Sequence, residues 1–481
     1  MRILLLQPPE SLERVLGKGK HFVMPVPPVG LMYISAFLGK NGFESEILDA
    51  YHQNLDIEST IEEIKNKEPD VLGVSCLTSN SANVFYLVQK LRLQLPSLKI
   101  ILGNIHASIF SSFFLRKAGA DFVVHGEGEE PMLKILQNLA HKNNEFSTIP
   151  NISYKINGEI KNTNLEKPSI TLDDLPWPAR DKIPFLDYTS GVYGVSDKRE
   201  YDMVFASRGC IFKCTFCCIN KHHVYRYRSA VDVVNEIEHV VNEYSLKAFA
   251  FGDSLFTINP KRVIEICDEI IRRKINAPWF CEGHANTVNP EMLEKMREAG
   301  CDEIAFGVET GNPGILKQIG KRTTHEKIRN AVRMAKNTGI RTSGLFMFGF
   351  PGETESEMME TIEFSLSTPF DRAQFAITTP YPGTALYDKL IADGKLKLRD
   401  EDDPKYVEDW YKYSQYASYT DNSSIWVPDG LTSERMKEIQ KLALRKFYLR
   451  PKQIISELRK IKLNDLTHLK SFIMAAKDTF I

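Results

Sequence analysis

Three cysteines on one short loop are the residues of this sequence whose type and spacing best suit chemistry. They are Cys210, Cys214 and Cys217, in the pattern Cys-x-x-x-Cys-x-x-Cys. Thiolates are soft ligands, and three of them can hold three corners of a cubane iron–sulfur cluster. The fourth iron then stays open to a small molecule. The pattern therefore predicts a [4Fe-4S] cluster bound by these three side chains.

A zinc site is the alternative for the same cysteines. A structural zinc ion takes four protein ligands. Cys218 directly follows Cys217 and cannot easily reach the same ion, whereas His222 and His223 come soon after it. A structural or regulatory zinc protein that uses the three cysteines and His222 therefore stays an open hypothesis.

The composition narrows the class of protein. Of the 481 residues, 43% are hydrophobic and 26% are charged, as in globular proteins. Lys and Arg number 61 and Asp and Glu number 62, so the net charge of −1 argues against a dedicated nucleic-acid binder. The sequence contains no run of about 18 apolar residues, so we expect no transmembrane helix. The short apolar stretch after Met1 lacks a signal-peptide cleavage site. Cysteines clustered in a large chain indicate a reducing compartment, and we expect a cytoplasmic protein.

The first 140 residues alternate short apolar runs with amphipathic stretches. This alternation predicts parallel strands with helices on both faces, a Rossmann-like domain of the flavodoxin-like form. The five predicted strands are Arg2–Gln7, Ser45–Leu48, Val71–Leu77, Lys99–Leu102 and Asp121–Val124. Ligands of this fold lie beyond the carboxyl ends of the strands. The sequence at those ends, over residues 7–9, 75–79, 103–106 and 125–129, is rich in small and polar residues.

A second alternating unit spans residues 200–385 and predicts a partial TIM-type (β/α)6 barrel. Its six predicted strands are Met203–Ser207, Lys247–Phe251, Trp279–Glu282, Glu303–Val308, Thr342–Phe348 and Arg372–Thr378. The cysteine loop follows the first of them, at the carboxyl edge where barrel chemistry is expected.

Two further regions complete the predicted organisation. Residues 141–199 are predicted to be a linker with a small hairpin turned at Asn157-Gly158. Residues 386–481 are predicted to be a mostly helical C-terminal region that shapes the substrate site. Its Trp and Tyr side chains either cover a flat or lipid-like substrate or pack against another domain.

Residues 1–390 resemble the cobalamin-binding radical SAM family in the cysteine motif, the barrel that carries it and the Rossmann-like domain in front. The resemblance implies a [4Fe-4S] cluster, S-adenosylmethionine (SAM) and cobalamin as cofactors, with Cys210, Cys214 and Cys217 as cluster ligands. In that family, reductive cleavage of SAM gives a 5′-deoxyadenosyl radical that abstracts hydrogen from an unactivated carbon. In most relatives methylcobalamin then supplies a methyl group.

Other members of the family carry out oxidative cyclisation or rearrangement. Anaerobic magnesium-protoporphyrin monomethyl ester cyclase is one of them, and others act in hopanoid biosynthesis. The resemblance also implies a small-molecule or lipid-like substrate and an electron donor such as flavodoxin or ferredoxin.

The family's positions near the SAM adenine and amino group can be carried over to this chain. Phe216 holds the aromatic position before the third cysteine, near the adenine. Gly252 and Asp253 end the second barrel strand and match the segment that meets the SAM amino group, although the family's Gly-Gly-Glu is absent. Asp253 caps a helix in the alternative interpretation.

Two later strands supply the remaining SAM candidates. Glu309 ends the fourth barrel strand and matches the acidic position near the SAM ribose. It pairs with Lys321 or Arg322 in the alternative interpretation. Ser343 and Phe348, on the fifth strand, would line the SAM cavity.

The cobalamin candidates lie at the strand ends of the first domain. The motif Asp-x-His-x-x-Gly, which supplies a cobalt-ligating His in other cobalamin domains, is absent here, as is common in the radical SAM branch. Ser75-Cys76-Leu77 matches a Ser-x-Leu element, and Gly103-Asn104 stands where Gly-Gly often occurs. The candidate cobalamin-binding residues are Pro8, Ser75, Leu77, Thr78, Gly103, Asn104, His106, Gly126 and Glu127. A radical SAM enzyme whose first domain does not bind cobalamin stays a second alternative.

Overall fold

A computed structural model describes residues 1–10, 26–190, 199–219, 224–413 and 424–451. The histidines of the zinc hypothesis, His222 and His223, lie outside these ranges. Among the described residues, no helix has both the length and the apolar character needed to cross a membrane.

The first sheet has seven strands in the order β2-β1-β3-β4-β5-β6-β7. Its strands are β1 (Ile3–Gln7), β2 (Ser45–Asp49), β3 (Val71–Ser75), β4 (Lys99–Gly103), β5 (Phe122–Val124), β6 (Ile152–Ile156) and β7 (Glu159–Asn162). The first five are parallel in the order of a flavodoxin-like domain, so that prediction is confirmed. The predicted hairpin forms β6 and β7, which add to β5 in antiparallel fashion and bring part of the linker region into this sheet.

Both faces of the first sheet are covered by helices. The main helices are Val29–Lys40, Ile57–Lys67, Ser81–Gln94 and Glu129–Ala140, with shorter helical segments at Ile105–Ile109, Ser111–Phe113 and Phe114–Ala118. Along β1, Leu4 and Leu6 enter one core and Ile3 and Leu5 enter the other. Successive side chains of a strand point to opposite faces, so a strand buried on both faces needs a continuous apolar run. The sheet order reverses between β1 and β3, which makes the carboxyl edge there the expected ligand site.

The second sheet also has seven strands, in the order β16-β15-β14-β13-β12-β9-β8. They are β8 (Thr189–Ser190), β9 (Arg199–Val204), β12 (Ala248–Phe251), β13 (Trp279–Gly283), β14 (Cys301–Glu309), β15 (Arg341–Phe348) and β16 (Arg372–Ile377), while β10 (Ser207–Arg208) and β11 (Arg226–Tyr227) form a separate ribbon. All but β8 are parallel, and the sheet is open between β8 and β16. The six predicted parallel strands and the partial barrel are therefore confirmed.

The barrel helices lie between successive strands. They are Ala230–Glu243, Pro260–Arg272, Pro290–Glu298, Pro313–Gln318, His325–Asn337 and Glu355–Ser367. Three of them begin with the dipeptide Asn-Pro, in which Asn259, Asn289 or Asn312 accepts a hydrogen bond from a first-turn amide. Asn satisfies a free amide at the helix start, and Pro is already fixed in helical φ.

Where the structure describes it, the C-terminal region is helical, as predicted, and contacts both sheets. It contains the helices Ala385–Ala392 and Ser433–Tyr448 and a 3-10 turn at Glu408–Lys412. The helix Ser433–Tyr448 covers β16, where Gln440 Nε2 donates to the carbonyl of Phe375 at 2.6 Å. The aromatic residues of this region in the core of the first domain are Tyr387, Tyr406, Trp410, Tyr411, Tyr413 and Trp426. Of the two interpretations of these side chains, domain packing is what the structure shows.

Candidate active site

The cysteine loop lies at the carboxyl edge of the barrel sheet. Backbone hydrogen bonds fix it at Thr215, whose amide donates to the carbonyl of Ile319 at 3.0 Å and whose carbonyl accepts from Leu386 at 2.9 Å. The predicted ligands Cys210, Cys214 and Cys217 are half-buried free thiols, close enough for their charges to interact. Burial raises the pKa of Cys214, and it raises the pKa of Cys217 to about 11. A bound metal would have to displace these thiol protons.

The cysteine loop presents a donor set of three thiols. In the described parts of the chain, no three His, Cys, Asp or Glu side chains converge as the ligands of one ion do. A zinc ion holds each sulfur at about 2.3 Å and so brings its ligands together. Thiolates bound to three different irons of a cubane stand farther apart. Three thiols on one loop are the donor chemistry that a [4Fe-4S] cluster requires, and the residues present fit this group.

Buried charged groups lie near the cysteine loop, with Glu282 and Glu309 at the ends of β13 and β14 and Lys321 in the loop after the helix Pro313–Gln318. Lys321 Nζ lies 2.5 Å from Glu309 Oε1, and both side chains are at most one-tenth exposed. Burial opposes the charge on Lys321, but Glu309 and Cys214 raise its pKa. On the neighbouring strand, burial and then the charge of Glu309 raise the pKa of Glu282 to about 7. The predicted ribose contact Glu309 thus makes the ion pair that its alternative interpretation named, and its contact with SAM stays a prediction.

Asp253 braces the start of the cysteine loop. Its carboxylate accepts from the amide of Ala206 at 2.9 Å and from the hydroxyl of Ser207. It does not cap the following helix, which begins after Asn259. Gly252 packs closely against Phe205, and a Cβ at this position would lie 2.5 Å from the ring. The contact of Gly252 and Asp253 with SAM stays a prediction.

The two candidates on β15 point to opposite faces of the sheet. Phe348 is fully buried in the core between the sheet and the outer helices and stacks on Phe375 with ring centroids 5.7 Å apart. The prediction that Phe348 lines the SAM cavity is therefore corrected, since the alternation of a strand turns it away from the barrel interior. Ser343 faces the interior with Leu345 and donates to Glu303.

Phe216 lies beside the C-terminal half of the barrel. Its ring centroid is 5.8 Å from that of Phe350, and it packs near Met347. Phe216 thus lies on the cysteine loop, and its contact with the SAM adenine stays a prediction.

The cobalamin candidates of the first sheet converge on one edge. The residues at the tips of the adjacent strands β3, β4 and β5 are Ser75, Leu77, Gly103, Asn104, Gly126 and Glu127. Leu77 is 36% exposed, and a Cβ on Gly103 would meet no atom within 4 Å. Asn104 donates to the Ser75 hydroxyl at 3.2 Å and ties two tips together. The glycine and the exposed Leu77 leave this edge open to a large flat ligand such as the corrin ring.

Three candidates lie behind this edge. Pro8 is buried, and Thr78 is only 8% exposed. His106 is fully buried, with its ring centroid 4.4 Å from that of Trp410 and its Nδ1 3.3 Å from the Thr78 hydroxyl. Burial lowers the pKa of His106 to about 3, so the ring is neutral. The structure does not place His106 at the surface of the edge.

Several residues that sequence reasoning did not select lie at or beside the site. Glu282 is the second-last residue of β13, and the carboxyl end of a barrel strand is a position that itself marks candidate chemistry. His284 is 4% exposed and stacks on Phe212 of the cysteine loop with centroids 4.1 Å apart. Arg208 and Arg226 bind Glu127 and connect the two domains. The local sequence gives no signal that would select Arg226. For Arg208 the signal is its position directly before Gly209-Cys210.

Comparison with known proteins agrees with this architecture. Residues 204–365 match the Radical SAM superfamily, and residues 19–136 match the B12 binding domain. An uncharacterized methyltransferase of Pyrococcus horikoshii is 31% identical over 463 residues, which cover 95% of each chain. The anaerobic magnesium-protoporphyrin IX monomethyl ester cyclase of Rubrivivax gelatinosus is 28% identical, over 81% of this chain and 70% of that protein.

The fold is shared with a solved enzyme. The radical SAM methyltransferase TsrM of Kitasatospora setae, solved with cobalamin and a [4Fe-4S] cluster, superposes with a TM-score of 0.70 at 17% identity. The match covers 92% of this chain and 90% of TsrM. The chain belongs to the cobalamin-dependent radical SAM methyltransferase family, with a B12-binding domain followed by a radical SAM domain. Its cofactors are those of the family: a [4Fe-4S] cluster, SAM and cobalamin.

Proposed function

We propose that this chain methylates an unactivated carbon of a small-molecule substrate. The observation that carries the proposal is that one chain holds a three-thiol loop and an open strand edge suited to a corrin ring, joined by direct contacts. When bound, the cluster and SAM would supply a carbon-centred radical and cobalamin would supply a methyl group. The P. horikoshii relative, similar over nearly the whole chain, carries the name methyltransferase.

The protein's own residues would bind and orient these groups. Cys210, Cys214 and Cys217 would hold the cluster, and Glu309, fixed by Lys321, would face the SAM ribose. The edge formed by Leu77 and Gly103 would receive the corrin ring. Oxidative cyclisation is the second candidate reaction, because the Rubrivivax cyclase covers most of this chain.

The proposal also covers partners and location. A one-electron donor such as flavodoxin or ferredoxin would reduce the cluster, and the substrate would be a small or lipid-like molecule. An oxygen-sensitive cluster and free thiols suit the reducing cytoplasm. The boundaries 1–140, 141–199, 200–385 and 386–481 are part of the same proposal, with the last region shaping the substrate site.

The test uses protein produced with cobalamin and reconstituted anaerobically with iron and sulfide. About four irons and one cobalt per chain are expected, with 5′-deoxyadenosine formed from SAM under reduction. Cys210→Ala, Cys214→Ala and Cys217→Ala should each abolish 5′-deoxyadenosine formation, whereas Cys218→Ala, next to the motif, should retain it. Methyl transfer should also yield S-adenosylhomocysteine, which a cyclase would not produce. Zinc without iron would overturn the proposal.

A further inference from the structure

Four charged residues join the first sheet to the strand that leads into the cysteine loop. Glu127 and Glu129 follow β5, while Arg208 ends β10 and Arg226 begins β11. Arg208 Nη1 donates to Glu127 Oε2 at 2.5 Å and Nη2 donates to Glu129 Oε1 at 2.7 Å. Arg226 Nη2 donates to the other oxygen of Glu127. We call these four residues the domain clamp.

The domain clamp is shielded from water. The side chains of Glu127 and Glu129 are 9% and 7% exposed, and those of Arg208 and Arg226 are 17% and 21% exposed. The ring of Tyr33 covers Arg208, with 5.0 Å between the ring centroid and the guanidinium carbon. Hydrogen bonds between ionised groups in such an environment are stronger than those at an exposed surface. Loss of one partner leaves a shielded charge unpaired, which is costly.

The clamp residues are neighbours in sequence of residues at both predicted cofactor sites. Arg208 is followed by Gly209 and then by the cluster ligand Cys210. Gly209 has φ +80°, and a Cβ there would lie 2.8 Å from the backbone of Val224, so this step of the chain is tightly fixed. Glu127 directly follows Gly126 at the cobalamin edge. Both oxygens of Glu127 bind arginines, so this carboxylate serves the domain contact.

We propose that Glu127, Glu129, Arg208 and Arg226 are positioning residues that hold the cysteine loop at one fixed distance from the cobalamin edge. The inference rests on the proposed function for what occupies the two sites, but the contact itself involves only this chain. Radical chemistry between two cofactors depends on such fixed placement, because small displacements of reacting groups cost large factors in rate.

The first test measures amide hydrogen exchange in the full chain. Arg208→Gln and the isosteric Glu127→Gln should raise exchange at residues 125–132 and 206–210 together, by at least about tenfold. Arg116→Gln is the matched control, because Arg116 pairs with Glu401 at 2.7 Å between the first domain and the tail, but at an exposed site. The effect of the double variant should be smaller than the product of the two single effects, because both variants remove the Arg208–Glu127 contact. Unchanged exchange at residues 125–132 in both single variants would overturn the proposal.

The second test measures the separation of the cofactors. Pulsed EPR on reconstituted protein that holds cob(II)alamin and the reduced cluster should give one narrow distance distribution for the wild type and Arg116→Gln. Arg208→Gln should broaden it while iron and cobalt contents stay the same. A narrow, unshifted distribution in Arg208→Gln would overturn the proposal. If the wild type takes up no cobalt, the proposed function fails, and the exchange experiment alone decides the clamp.

Discussion

At the scale of single residues, the site depends on a buried cation. Lys321 contacts Glu309 and lies within electrostatic range of Cys214 and Glu282. An unpaired ammonium at this depth would cost several kcal/mol. Its charge therefore requires a carboxylate partner, and Glu309 supplies one. Glu282 is a second carboxyl in the same charge environment, and its proton occupancy depends on pH near neutrality.

Glu282→Gln should flatten the pH dependence of stability. The pKa of Glu282 is raised from 4.5 to about 7 in the folded chain, so folding favours its protonated form. This contribution to stability is complete below pH 4.5 and is lost as the pH rises through about 7. The free energy of unfolding, measured with urea, should decrease from pH 5 to pH 8 in the wild type. In Glu282→Gln this decrease should be smaller by about 2 kcal/mol. Glu294 is exposed, so Glu294→Gln should behave as the wild type. A decrease in Glu282→Gln equal to that of the wild type would contradict the raised pKa of Glu282.

At the scale of elements, the end of β14 shows how a strand aims a functional side chain. The register with β15 shifts between Gly307 and Glu309, and Glu309 has φ +69°. A bulge of this kind re-aims the side chain at a strand end, often beside an active site. Gly307 leaves room for the ion pair, because a Cβ there would lie 2.5 Å from Lys321 Nζ and 2.6 Å from Glu309 Oε1.

Gly307→Ala should weaken SAM binding without unfolding the barrel. The added methyl group meets the flexible end of Lys321 and the Glu309 carboxylate, so the ion pair must move. We expect a loss of SAM affinity of about tenfold or more, equivalent to about 1.4 kcal/mol, measured by equilibrium dialysis on reconstituted protein. Gly30→Ala is the control, because a Cβ at Gly30 meets no atom within 4 Å. Unchanged SAM affinity in Gly307→Ala would separate Glu309 from SAM binding.

At the scale of the whole molecule, the C-terminal region fastens the two domains together. Trp410 is 4% exposed and packs among Phe110, Phe113 and His106 of the first domain. The same region then returns to the barrel, where the helix Ser433–Tyr448 covers β16. The domain clamp joins the two domains through other residues. The two domains are thus joined by contacts between residues far apart in sequence.

Trp410→Ala should destabilise the first domain. Removal of a buried Trp from an aromatic cluster leaves a cavity and costs about 3–5 kcal/mol. Urea unfolding followed by far-UV circular dichroism should show this loss. Leu398→Ala, a 41% exposed side chain of the same region, should change stability by less than about 0.5 kcal/mol. A similarly small effect for Trp410→Ala would show that the tail is not bound to the first domain in solution.

Much of the fold follows from local spacing. Alternation of apolar runs and helical stretches located every parallel strand of both sheets, because each element's periodicity is encoded within its own residues. The prediction for Phe348 failed for a related reason. Successive residues of a strand point to opposite faces of the sheet. Where both faces are covered, apolar residues occupy both of them. Residue type alone therefore does not show on which face a side chain lies.

The sequence by itself determined the cluster motif, the order of the domains and the strand ends at which ligands are expected. Only the tertiary structure decided which side chains meet at those ends. Asp253 braces Ser207 across 46 residues, and Arg208 reaches Glu127 across 81. Such partners are chosen by how strands and domains pack, and a charged residue carries no local signal of the opposite charge it will meet. The geometry between the two domains therefore belongs to the folded molecule.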